Sequence, residues 1–341
     1  MPATSELPAS SESTPDREVL DFGAHFYSNR LPHRPAKFDA FDDLVGPAYS
    51  DPEPYAEVQA AAGITGAVLV APLYVQRGAG SSGGVDVVAE ANDALLDVVR
   101  AHDHFVGGLA AIPFNADGEA AAAEFERCLD AGFNGGVIET INDDGVELID
   151  AEVEPVLEVA DRTGAPVMVH PRARSSMDPD HDVLTDRYRG NSIFGREVTL
   201  MDSLCKVVHE GVLDRFPDLH LVYDHIGGNV ASNFGRLEYQ LDTDRWPGDH
   251  EHVKDWSEFR PQVEERIYLK LSGYFGYHAP VRAALEEFPS SSVLFGTDFP
   301  MEVRDAEELR RCVRSVDDMT SNADARNVFS SNARDLLVNL D

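Results

Sequence analysis

The sequence predicts a parallel (β/α)8 barrel of the TIM type, and three observations carry that prediction. Eight short apolar runs recur along the 341 residues. Amphipathic stretches of helical length separate them. The longest insertions, 28–54, 172–199 and 240–260, all follow the C-terminal ends of predicted strands, the side on which such barrels keep their active sites.

In chain order the runs are EVLDFGAHF, ITGAVLVAP, HFVGGLAAIP, FNGGVIET, APVMVHP, LHLVYDHIGG, RIYLKLSG and SSVLFGTDFP. Between them, EANDALLDVVRAHD, AAAEFERCLDAG, VEPVLEVADRTG and DSLCKVVHEGVLDRFP repeat apolar residues at helical spacing. Several of these helices end in Gly, as a left-handed cap requires. A doubly wound open sheet rarely needs eight such units, and no GxGxxG follows the first strand. Residues 1–17, with MPATSELPASSESTPD, are rich in Ser, Pro and Glu and predict a disordered acidic tail. Residues 18–341 are expected to form one barrel domain.

Composition narrows the function. Asp and Glu number 61 against 28 Lys and Arg, a formal charge of −33. The acids are dispersed, which predicts an acidic surface on a folded protein. Such a surface repels nucleic acid and anionic lipid. Only Lys37, Lys206, Lys254 and Lys270 are lysines, and the pattern predicts a halophilic-type, salt-rich cytoplasm. No apolar run approaches the roughly 20 residues of a membrane span, and no basic start with an apolar segment announces a secretory signal. Cys128, Cys205 and Cys312 form no CxxC and read as small hydrophobes.

The chemistry-bearing residues gather at one end of the predicted strands. His25 ends the first, His170 the fifth, His225 the sixth and Asp298 the eighth. Each alone has a dull reading: a histidine capping a carbonyl, an aspartate starting a turn. Together they converge, because strand ends ring the barrel mouth. Neutral imidazoles and a carboxylate are what Zn²⁺, Mn²⁺ or Fe²⁺ accept. Gly23, two residues before His25 and on the same face of a regular strand, supplies no ligand. His25 is therefore half of a metal site, part of a site with fewer ligands, or a remnant.

The strings LDFGAHF, GAPVMVHP, VLDRFPDLHLVYDHIGG, FGRLE, LFGTDFP and NARDLL together resemble the amidohydrolase-related group of the amidohydrolase superfamily, among them the aminocarboxymuconate-semialdehyde decarboxylases. The resemblance runs from about Val19 to Leu337. It implies that His25, His170 and Asp298 are metal ligands and that His225 activates water or substrate. It also places Arg236 on an arginine that can reach a substrate carboxylate across a homodimer. The departure is Gly23, where the group has His or Glu. That leaves three ligands for one divalent metal, Zn²⁺ first among them, with room for water or a substrate atom.

YLKLSG places Lys270 near the end of the seventh strand and is similar to the lactone-hydrolysing branch of the group. There an amine binds a substrate carboxylate or lactone oxygen. Its duller reading is a solvated lysine on the rim. Arg172 and Arg174, just past His170, suggest a small anionic substrate. His278 follows the seventh strand on the active side and is a candidate substrate contact. His102, His104, His250 and His252 read as structural or solvated. The expected function is a metal-dependent decarboxylase of a small aromatic or unsaturated carboxylate, with His225 and Asp298 catalytic. A lactone, ester or amide hydrolase is the first alternative. A catalytically impaired anion-binding barrel is the second.

Overall fold

The structure is a computed structural model that describes residues 17–27, 31–34, 39–76, 84–172, 188–248 and 250–340. All eight expected strands are present: β1 (Leu20–His25), β2 (Gly66–Val70), β3 (Phe105–Ala111), β4 (Gly135–Glu139), β5 (Val167–His170), β6 (Leu221–Tyr223), β7 (Ile267–Leu271) and β8 (Val293–Phe295). Each pairs in parallel with the next. The expected tail, save Arg17, lies outside the described residues, and so does Arg174.

Amphipathic helices cross between the strands, among them Gly84–Ala101, Gly118–Ala131, Glu154–Thr163, Arg196–His209 and Ala306–Asp317. Gly132 and Gly164 end two of them in the left-handed region, at φ 108° and 68°. The helices bury their apolar faces on the outside of the sheet. Inside it, Phe22, Val68, Leu109, Val137, Met168 and Leu294 fill the barrel as a separate core. Leu336 from the helix Asn332–Leu336 joins that core beside Leu20, the first residue of β1, and so closes the N-terminal end. The mouth at the other end is left for polar groups.

Two irregularities shape that mouth. In β1, Phe22 pairs with Val68 and Ala24 with Leu69, so Gly23 is an extra, bulged residue at φ 71°. The bulge breaks the two-residue alternation assumed from the sequence. Phe22 and His25 share the interior side, while Asp21 turns outward and accepts hydrogen bonds from Gln59 Nε2 (2.7 Å), Thr297 N (2.8 Å) and Thr297 Oγ1 (2.6 Å). After β6, residues 225–229 run through φ 47°, 54°, 59°, 68° and 61°, a full left-handed turn. Sterics forbid that to most side chains, which explains the paired glycines of HIGG. A Cβ on Gly228 would lie 2.1 Å from Glu197 O, so the turn packs directly on the backbone of Arg196–His209.

β1 and β8 form no ladder. The barrel closes where His25 N donates to Phe299 O (2.8 Å) and where Asp21 grips Thr297. Among the described residues, no helix is long and apolar enough to cross a membrane.

Candidate active site

His25, His170, His225 and Asp298 all stand at the mouth, and the structure adds Asp224, Glu197 and Lys270 to them. His25 Nε2 lies 3.0 Å from Asp298 Oδ1, with both residues buried. The His170 ring meets the His25 ring edge-on, centroids 5.5 Å apart. His225 Nε2 faces Asp298 Oδ2 at 3.7 Å and Asp224 Oδ2 at 4.0 Å. Among the described residues, the three donors gathered within 4.8 Å of one another are those of Asp224, His225 and Asp298.

Several elements fix the His225 ring. Its Nδ1 pairs with Glu197 Oε1 (2.8 Å), and Tyr274 OH holds the other Glu197 oxygen (2.8 Å). Its backbone N donates to Asp224 Oδ1 (3.0 Å) and Ser272 Oγ (3.1 Å). A Cβ on Gly273 would lie 2.7 Å from the ring, so that glycine makes room for it. The imidazole therefore presents Nε2 to the cage and spends Nδ1 on a carboxylate. That arrangement fixes the orientation of the ring.

The LKLSG end of β7 now has a physical meaning. Lys270 is fully buried, and its Nζ donates to Gly23 O (3.0 Å) and sits 3.0 Å from Asp224 Oδ1 and 3.6 Å from Asp298 Oδ1. It lies at the floor of the cage, not on the rim. Ser272 Oγ donates to Asp224, and Gly273 clears space for His225. Burial pushes the Asp298 carboxyl up, but His25, His225 and Lys270 outweigh it and hold the group well below its ordinary value. Asp224 is likewise lifted by burial and brought down to about 2 by Lys270 and His225. Burial lowers His225, yet Asp224, Asp298 and Glu197 keep its imidazole well above its ordinary value. The cage thus sets two carboxylates against an imidazolium and an ammonium.

The space expected beside Gly23 is filled. A Cβ there would lie 2.6 Å from Met168 Sδ and 3.3 Å from Lys270 Nζ, so no open pocket for water or substrate replaces the missing imidazole. The remaining predicted residues lie apart from the cage. Arg172 is held by Glu139 Oε2 (3.4 Å) and Asp143, near the end of β5. Arg236 is exposed on the helix Phe234–Gln240. His278 starts the helix His278–Glu287 and pairs with Asp318 (3.1 Å).

The donors read from the sequence suit a divalent ion in kind: the imidazoles of His25 and His170 and the Asp298 carboxylate, with His25 Nδ1 and the neighbouring Asp224 Oδ2 buried without a hydrogen-bond partner. Sequence reasoning missed Asp224, Glu197 and Tyr274. Asp224 precedes His225 and was visible as an acid ending an apolar strand. Glu197 and Tyr274 reach the site from elements remote in sequence and left no local signal.

The barrel agrees with comparisons to known proteins. A family model described as amidohydrolase matches residues 21–338, and the chain belongs to that family. A curated 2-amino-3-carboxymuconate-6-semialdehyde decarboxylase from Dictyostelium discoideum is 27% identical over 156 residues. That match spans 46% of this chain and 42% of the relative, less than half of either. A dihydroxybenzoic acid decarboxylase from Polaromonas sp. JS666, solved with bound manganese and the inhibitor 2-nitroresorcinol, superposes with TM-score 0.78 at 20% identity, covering 94% of this chain and 96% of that one. A 5-carboxyvanillate decarboxylase from Sphingomonas paucimobilis gives TM-score 0.76 at 20% identity, with 94% and 98% coverage. At these identities the solved structures establish the shared fold.

Proposed function

We propose that this chain is a carboxy-lyase acting on a small aromatic or unsaturated carboxylate. One observation carries the reading: His225, charged by its neighbours and locked through Nδ1 on Glu197, turns an Nε2 with no hydrogen-bond partner into the cage at the barrel mouth. A decarboxylase needs such a donor, because the electron pair of the breaking C–C bond must be met by a proton at carbon as CO₂ leaves. Asp298, held as a carboxylate 3.7 Å away, keeps that imidazole charged until transfer. The decarboxylase names of the relatives support the same reading.

The substrate class rests on the acids in the names of the relatives. The His25 ring stacks on Tyr27 (5.6 Å between centroids) and Tyr27 on Tyr49 (5.3 Å). Tyr49 is fully buried and Tyr27 nearly so, and these rings back His25 from behind the site. His25, His170 and Asp298 are the residues we assign to a divalent ion, Zn²⁺ or Mn²⁺. When bound, that ion supplies Lewis-acid polarisation of a substrate oxygen. Arg172, Arg236, Lys270 and His278 were the expected substrate contacts. Of these we keep Arg172, two residues past the end of β5, whose guanidinium would exchange Glu139 or Asp143 for a substrate carboxylate. Assembly as a homodimer, through which Arg236 reaches a partner's substrate, belongs to the same proposal, as does a cytoplasmic setting.

The test is a panel of hydroxybenzoates, muconate-like acids, lactones and aryl esters, offered to metal-supplemented protein with CO₂ and acid release followed in parallel. CO₂ from an aromatic or unsaturated acid is expected. Turnover of lactones or esters with no CO₂ from any acid would replace the reading with a hydrolase.

A further inference from the structure

Of the three lysines among the described residues, only Lys270 is fully buried; Lys206 and Lys254 keep 32% and 20% of their side chains exposed. The surroundings are shaped to it. A Cβ on Gly296 would lie 2.5 Å from Lys270 Cε and 2.6 Å from its Cγ, so the aliphatic stem needs glycine there. The bulge in β1 offers the Gly23 carbonyl to the ammonium at 3.0 Å, and a Cβ on Gly23 would sit 3.3 Å from Nζ. With Asp224 at 3.0 Å and Asp298 at 3.6 Å, three oxygens surround a group that carries three hydrogens. Gly23 is therefore no mere gap where a ligand is missing. Its backbone is a ligand to a cation that the chain supplies itself.

We propose that the Lys270 ammonium is the resident cation of this cage, held by Asp224 and Asp298, and that it competes with a divalent ion for Asp298. The reason is Coulombic. A metal ion bound through Asp298 shares a carboxylate with a fixed positive charge, and buried like charges at such separations repel far more than in water. The metal is admitted weakly, or at the cost of moving the ammonium away. The inference rests on the metal-binding part of the function proposed above and not on the decarboxylase part, so its test measures metal alone.

Full-length wild type and Lys270→Met are stripped with a chelator, desalted and titrated with Mn²⁺ by calorimetry, with bound metal counted by mass spectrometry. Lys270→Met should bind Mn²⁺ at least about tenfold more tightly than wild type. It should also melt lower than wild type without metal, because two buried carboxylates lose their counter-charge, and regain most of that loss in millimolar Mn²⁺. If the variant does not fold when stripped, it is produced with and without Mn²⁺, and recovery of folded protein only with the ion is the expected result. Equal or weaker Mn²⁺ binding by Lys270→Met overturns the competition while leaving the metal site standing. A variant that takes up no Mn²⁺, or is not rescued by it, overturns both.

Discussion

Asp21 shows how one residue behind the site shapes stability. It is fully buried on the outer side of β1, where burial lifts its carboxyl to about 6 against the pull of the Thr297 hydrogen bonds and the Lys270 charge. A raised carboxyl pKa means that the folded state holds a proton the unfolded chain has released. Its contribution is present below pH about 4 and is lost as pH climbs through about 6, a change of about 3 kcal/mol. Asp224, shifted the other way to about 2, contributes above the ordinary carboxyl range and loses its effect only in stronger acid, so the two windows do not overlap. Wild-type stability, measured by urea unfolding, should therefore fall between pH about 4 and 7, and Asp21→Asn should flatten that fall. A wild-type-to-variant difference that stays constant with pH would refute this. At this scale the sequence was legible where a polar side chain interrupted an apolar strand end, as at His25, His225, Lys270 and Asp298. It was silent where partners meet across the fold, as with Glu197 and His225.

The left-handed turn at 225–229 is the element on which the site depends. It turns the chain from β6 straight onto the helix Arg196–His209, and that contact brings Glu197 to His225. Gly228→Ala forces a Cβ to within 2.1 Å of a helix carbonyl while also placing a side chain at φ 68°. Overpacking of backbone and left-handed strain each cost about 1–3 kcal/mol. The variant should lose about 2–6 kcal/mol of stability by denaturant unfolding. Wild-type stability would mean that the turn relaxes without effort. The apolar runs marked all eight strands, whereas the left-handed turn that the glycines of HIGG permit was not read from the sequence. The bulge at Gly23 escaped notice because periodicity assumes a regular strand. One inserted residue reset which side chains share a face, and it converted an apparent missing ligand into a carbonyl that holds Lys270.

For the molecule as a whole, net charge outweighs any single contact. A formal charge of −33 on one chain repels itself at low ionic strength. The Debye length falls from about 10 Å at 0.1 M to about 3 Å at 1 M salt. Thermal stability should accordingly rise between dilute buffer and molar KCl, as followed by calorimetry. A flat or falling melting temperature would remove the salt-adapted reading. The barrel was legible at this scale because eight strand–helix units leave few other architectures. The closure of the barrel was not, since it depends on contacts between the two ends of the chain.

That closure has a kinetic consequence. Seven strand junctions are ladders, whereas the eighth is carried by His25 N on Phe299 O and by Asp21 on Thr297. Local opening follows the weakest-tied boundary, and here that boundary runs between His25 and Asp298. The amides of His25 and Thr297 should exchange with deuterium faster than those of the central strands β4 and β5. A ligand or ion that bridges His25 and Asp298 should slow them most. Occupancy of the site would then be readable as the breathing rate of the seam.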